Sequence, residues 1–170
     1  MKDFSQIART AIKMEHDGIE FYKKAADKTV HPLGKEMFLS FAKDEKRHLN
    51  VLNEILTNLI FSSSEEYFKE TPRKKIETAF SKVKDEINER IFASPDEMEV
   101  LKIGMEMENE SIRFYEDAFK KTTNSKAKAL LEKLIPEEKD HYRILDNTHS
   151  FLEDSGKWFL WEERAMLDGG

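Results

Sequence analysis

Apolar positions in the first part of the chain recur every three to four residues. Ile7, Ala8, Ala11, Ile12, Ile19, Tyr22 and Ala26 fall near one face of a helix running from about Phe4 to Lys28. His31-Pro32-Leu33-Gly34 breaks the pattern and predicts a turn, after which a second helix runs from about Lys35 to Ile60. A third helix opens at Ser94-Pro95-Asp96-Glu97. Ser94 can cap it, Pro95 suits its first position and Glu97 completes a capping box. That helix reaches about Lys121, and beyond Thr123-Asn124-Ser125 a fourth continues to about Phe151. Short turns make each pair an antiparallel hairpin.

A long stretch, 62–93, separates the hairpins. From Thr71-Pro72 to about Ile91 it has a helical pattern of its own, in Ile76, Phe80, Val83 and Ile87. A link of this length suits a crossover along the bundle, the topology of ferritin-like folds, rather than a simple up-down-up-down arrangement. The reading is therefore all-α: a ferritin-like four-helix bundle of two hairpins over residues 1–152, with a short helix in the crossover. A tail over 153–170 carries Trp158, Phe159, Leu160 and Trp161, which suit docking on the bundle or a subunit contact.

The halves repeat each other. Shifting Met14–Leu52 by 93 positions onto Met107–Leu145 aligns them without a gap. Met14, Glu15, Ile19, Phe21, Tyr22 and Ala25 fall on Met107, Glu108, Ile112, Phe114, Tyr115 and Ala118. Lys28, Thr29 and Lys35 fall on Lys121, Thr122 and Lys128; Glu45, Lys46, His48 and Leu52 fall on Glu138, Lys139, His141 and Leu145. Composition alone would give about two or three such identities. Shared periodicity can match one aliphatic residue with another, but it does not put Glu, Tyr and His in phase.

Composition narrows the chemistry. Charged residues make up 36% and both signs are mixed, as on solvated helix faces, while the net charge of −6 and the lack of a basic patch argue against nucleic acid. There are no cysteines, which excludes disulfides, iron–sulfur clusters and thiol nucleophiles. No signal peptide and no apolar run of about 20 residues is seen, so the expected location is the cytoplasm, without a membrane partner.

Glu45-Lys46-Arg47-His48 and Glu138-Lys139-Asp140-His141 are both Glu-x-x-His on predicted helices, and residues three apart share a helix face. Residue 30 lies midway between Glu15 and Glu45, inside the first turn, and residue 123 lies midway between Glu108 and Glu138, inside the second. Residues equidistant from a hairpin turn lie level along its axis. Each lone Glu thus faces its Glu-x-x-His roughly 20 Å from the turn, at ~1.5 Å per residue. Four carboxylates crowded together would repel and be costly to desolvate, whereas two divalent cations neutralise them and two imidazoles complete the set. Oxygen-rich ligation with one His per metal suits iron or manganese and disfavours copper.

The arrangement resembles the rubrerythrin branch of the ferritin-like di-iron proteins. Met14-Glu15-His16-Asp17-Gly18-Ile19-Glu20-Phe21-Tyr22 is similar to the first-helix signature of that family, and Glu106-Met107-Glu108 with Phe114-Tyr115 is similar to the third. The resemblance covers about Phe4 to Phe151. It implies two iron ions, with manganese or mixed metals as variants, held by Glu15, Glu45, His48, Glu108, Glu138 and His141. It also implies peroxide or dioxygen reduction coupled to Fe(II) oxidation. Two departures stand out. Rubrerythrins proper carry a further carboxylate one turn after the third-helix Glu, where this chain has Ser111, and the cysteine-ligated rubredoxin domain is missing from the sequence. Electrons would then come from a separate donor, such as a rubredoxin.

Several residues keep two readings. Tyr22 and Tyr115, seven residues after Glu15 and Glu108, either hydrogen-bond to ligand carboxylates, as similar tyrosines do in the family, or are core residues satisfied elsewhere. Asp44 and Glu137 either orient the imidazole of the opposite half or are exposed charges. Pro136 should kink the fourth helix. His16, His31 and His149 lack spacing partners and read as surface or packing residues, and the Met residues as core filler. A homodimer is the expected assembly. Iron storage in a closed shell, and a partner-binding bundle that keeps the motif without metal, are the rival functions.

Overall fold

The computed structural model of the protein describes residues 2–29, 32–61 and 97–155. They form helices α1 (Lys2–Lys28), α2 (Pro32–Phe61), α3 (Glu97–Lys121) and α4 (Ser125–Ser155), and no strand occurs among the described residues. The predicted crossover helix, the Ser94-Pro95 cap, His31 and the Trp158–Trp161 stretch lie outside the described residues.

Two boundaries differ from the sequence reading. Helix α2 begins at Pro32 rather than near Lys35. Proline fits there because the first helical N–H has no partner within the helix and the ring holds φ at a helical value. Helix α4 runs past Phe151 to Ser155 and continues through Pro136, which lacks the N–H that would bond to the carbonyl of Glu132.

The ends of α1 and α3 repeat each other like the sequence. The Thr29 amide donates to the Ala25 carbonyl and the Thr122 amide to the Ala118 carbonyl, both at 2.9 Å. Asn124 caps α4, its side-chain oxygen accepting from the Ala127 amide at 3.1 Å, an arrangement that stabilises by about 1 kcal/mol.

Helix α1 packs along α2 and α3 along α4, while the hairpins meet through α1–α3 and α2–α4. One apolar cluster joins Phe21, Ala25, Phe38 and Phe41 to Leu101, Ile103, Leu145 and Leu152. A second joins Ala11 and Leu52 to Tyr115, Ala118, Leu130 and Leu134. Burying side chains such as Phe38 and Leu145 stabilises by roughly 1.5–3 kcal/mol each. The first cluster holds the end of α1 beside the beginning of α3, so the hairpins lie head to tail. Helix α2 therefore ends, and α3 begins, at opposite ends of the bundle, which is the ferritin-like arrangement. Between the two clusters the buried layer turns polar.

Candidate metal centre

That polar layer contains all six residues singled out as metal donors. Glu15 comes from α1, Glu45 and His48 from α2, Glu108 from α3, and Glu138 and His141 from α4; each is at most 4% exposed. The spacing of three puts Glu and His of one helix on the same face. The head-to-tail hairpins then bring the two faces together. Two overlapping groups result, Glu15–Glu45–His48–Glu138 and Glu45–Glu108–Glu138–His141, and within each group one donor atom per residue lies within 4.8 Å of the others. Glu45 and Glu138 belong to both.

Each imidazole turns Nδ1 inward. His48 Nδ1 lies 3.2 Å from Glu45, 3.4 Å from Glu15 and 3.2 Å from Glu138. His141 Nδ1 lies 3.3 Å from the other Glu45 oxygen and 3.5 Å from Glu108. Each Nε2 turns outward, to the opposite hairpin. His48 Nε2 is 2.9 Å from Glu137 Oε2, and His141 Nε2 is 3.2 Å from Asp44 Oδ2. A carboxylate only accepts, so both Nε2 atoms carry a proton, and each Nδ1 is left facing the cluster. Tyr22 donates its hydroxyl to Glu108, and Tyr115 donates its hydroxyl to Glu15.

Crowding perturbs the ionisation of the metal-free cluster. Burial, reinforced by the charge on Glu45, pushes Glu15 well above the ordinary carboxylate range. Burial also raises Glu138, with Glu45 and Glu108 as neighbouring charges. Burial would raise Glu45 too, but hydrogen bonding with Glu15 and with both imidazoles outweighs it and holds this carboxyl low. Both imidazoles behave the other way. Burial opposes their charge, yet the surrounding carboxylates overcome it, and His141 is pushed up to about 12. In the absence of metal, protons therefore occupy the positions where cations would sit.

The donor set fits divalent metal. Glu15 Oε2, Glu138 Oε1 and His141 Nδ1 are buried without a well-aligned hydrogen bond and meet only ionic neighbours at 3.2–3.5 Å, a condition that a bound cation would relieve. All three belong to the two donor groups. A cavity of about 10 Å³, close to the size of one water, adjoins the cluster between Met14, Gly18, Tyr22, Met107 and Ser111. A Cβ at Gly18 would come into ordinary contact with Glu45, 3.4 Å from its Cγ.

A model of the rubrerythrin family matches residues 7–149. The chain belongs to the rubrerythrin family. Among solved structures, a hypothetical protein from Pyrococcus furiosus is similar, with a TM-score of 0.66 and 22% identity over 91% of this chain and 94% of that one. At that identity it supports the shared helical fold. No curated protein matches.

The remaining rubrerythrin-signature positions sort clearly. Ser111 is buried beside the cavity, and by the 93-residue repeat it is the counterpart of Gly18; small residues thus occupy both positions. Met14 and Met107 belong to the core and also wall the cavity. His16 is exposed, and His149 lies 3.9 Å from Glu153; neither is in a donor group. Sequence reasoning passed over Gly18 and Arg47. A mid-helix glycine one turn after Glu15 was an available signal for Gly18, because glycine is unfavourable there without a packing reason. Nothing in the sequence sets Arg47 apart from the other charges of α2.

Proposed function

We propose that the protein is a di-iron carboxylate redox protein that reduces peroxide or dioxygen at the expense of Fe(II), taking electrons from an external donor such as a rubredoxin. One observation carries this reading: two four-donor groups share Glu45 and Glu138 at the buried centre of a rubrerythrin-family bundle. In the reading, Glu15 and His48 serve one metal, Glu108 and His141 the other, and the two shared carboxylates serve both. Bound iron would supply the electrons for reduction of the oxidant.

The chain's own residues supply the rest. With metal bound, buried carboxylates and neutral Nδ1 donors would form a charge-balanced set, and Tyr22 and Tyr115 fix Glu108 and Glu15, two of the carboxylates that line the small cavity. The apolar clusters on either side restrict water. The narrow cavity favours a diatomic or similarly small oxidant over an organic substrate. None of the described helices is long and apolar enough to cross a membrane. We place the protein in the cytoplasm as a homodimer.

The deciding experiment is anaerobic reconstitution with Fe(II), followed by metal analysis and addition of hydrogen peroxide in a stopped-flow spectrometer. About two iron ions per chain and rapid oxidation are expected. Metal content near zero would end this reading, and a closed multi-subunit shell in sedimentation would shift it to iron storage.

A further inference from the structure

Arg47 stands outside the metal-donor groups, half exposed on α2, yet it joins the supports of both imidazoles. Its Nη1 donates to Glu137 Oε1 at 3.1 Å, and its Nη2 also donates to Glu137. The same Nη2 donates to Asp44 Oδ1 at 3.0 Å. Glu137 on α4 accepts from His48 of α2, and Asp44 on α2 accepts from His141 of α4. The guanidinium therefore closes a chain of hydrogen bonds across the two hairpins, His48–Glu137–Arg47–Asp44–His141.

We infer that Arg47 is a positioning residue for both metal-binding imidazoles, acting through Glu137 and Asp44. Three features support this role. Asp44 and Glu137 are each 36% exposed, so without a fixed cation their carboxylates would be free to turn toward water. A guanidinium is a planar fork that fixes the plane of the carboxylate it grips, which a lysine ammonium does not. The repeat offers no second copy: the position 93 residues after Arg47 is Asp140, so a single cation serves both halves. With the carboxylates fixed, each imidazole keeps its proton on Nε2 and aims Nδ1 at the cluster. Arg143 provides a natural comparison. It is also an exposed arginine, pairing with Asp140 at 3.2 Å, but that pair carries no imidazole contact.

The inference rests on the metal-binding reading, and its test separates the two. The full chain with Arg47→Gln, Arg47→Lys or Arg143→Gln is titrated anaerobically with Co(II) against a competing chelator while its d–d absorption is recorded. Arg47→Gln is expected to weaken Co(II) binding by about 10- to 100-fold and shift the d–d bands, with helicity unchanged. Arg47→Lys should fall between it and wild type, and Arg143→Gln should match wild type. Wild-type affinity and spectrum in Arg47→Gln, or equal losses in Arg47→Gln and Arg143→Gln, would overturn the role. If the wild-type chain itself binds no Co(II), the metal reading fails. The positioning role is then read from ¹⁵N-histidine NMR of the metal-free chain. Two protected Nε2–H signals are expected in wild type and fast exchange of both in Arg47→Gln; unchanged protection in the variant would refute it.

Discussion

The Tyr22 hydroxyl on α1 donates to Glu108 on α3, so the first hairpin holds a carboxylate of the second. Tyr115 returns the same bond to Glu15, and both tyrosines are fully buried. Tyr22→Phe keeps the ring's packing against Phe21, Phe38 and Phe41 and deletes only the hydroxyl. It leaves a buried carboxylate oxygen short of a donor, which costs about 1–3 kcal/mol. Urea denaturation of Tyr22→Phe should show a loss in that range, and Tyr115→Phe a similar one. Loss of less than about 0.5 kcal/mol in both would mean that the bonds do not hold the hairpins together.

Shared and unshared donors should respond differently to truncation. Glu138 belongs to both donor groups and His141 to one. Glu138→Ala is expected to abolish binding of both metals and all peroxide-driven oxidation. His141→Ala should retain close to one metal per chain, with the two-electron reduction of peroxide to water lost because a single Fe(II) supplies one electron. Metal analysis after gel filtration distinguishes the two outcomes, and equal metal content in both variants would contradict a shared-carboxylate centre.

Much of this was legible because the donor cluster repeats its own pattern in each hairpin. Turn midpoints placed Glu15 level with Glu45 and Glu108 level with Glu138, and helix periodicity turned each Glu-x-x-His inward. The head-to-tail packing of the hairpins was implied by the long separation between them. What sequence could not supply was lateral detail. Nothing in the spacing says that Arg47 reaches two carboxylates on different helices, because that depends on the separation of α2 and α4. Pro32 misled for a related reason: proline both ends helices and begins them, and only the geometry of the turn decides which.

Gly18 makes the fold and the site compete. A glycine inside a helix costs roughly 0.5–1 kcal/mol relative to alanine. An added Cβ would meet Glu45 at ordinary contact distance, so Gly18→Ala should be accommodated and raise the stability of the metal-free protein by about that amount. Gly18→Leu would extend further into the same space and push the Glu45 carboxylate from its place between the two imidazoles. It is expected to fold and to bind Fe(II) more weakly, as read by competitive chelation. A Leu variant with wild-type affinity would show that Glu45 has room to spare.

Metal should stabilise the protein most strongly at alkaline pH. In the metal-free fold Glu15 and Glu138 lie above their ordinary value of 4.5, and His48 and His141 above 6.5, with His141 near 12. Groups raised in the folded state contribute stability in full below their unfolded values, and lose it as pH climbs through the folded ones. The two carboxyls therefore cease to help progressively above about pH 4.5, and the two imidazoles above about pH 6.5. Glu45 and Glu137 have the opposite sign. Their folded values are depressed, Glu137 to about 2, so their contribution is present above pH 4.5 and lost on acidification. Between pH 5.5 and 8 these raised groups give the slope a falling sign, and the melting temperature of the metal-free protein should fall across that range. Divalent metal held by the folded cluster would displace these protons and add stability by mass action. At pH 5.5 protons compete for the same carboxylates and imidazoles, whereas at pH 8 they compete far less. The rise in melting temperature on adding Mn(II) should therefore be larger at pH 8 than at pH 5.5. Scanning calorimetry at both values checks this, and identical melting temperatures with and without Mn(II) at pH 8 would leave the buried carboxylates without the cations proposed for them.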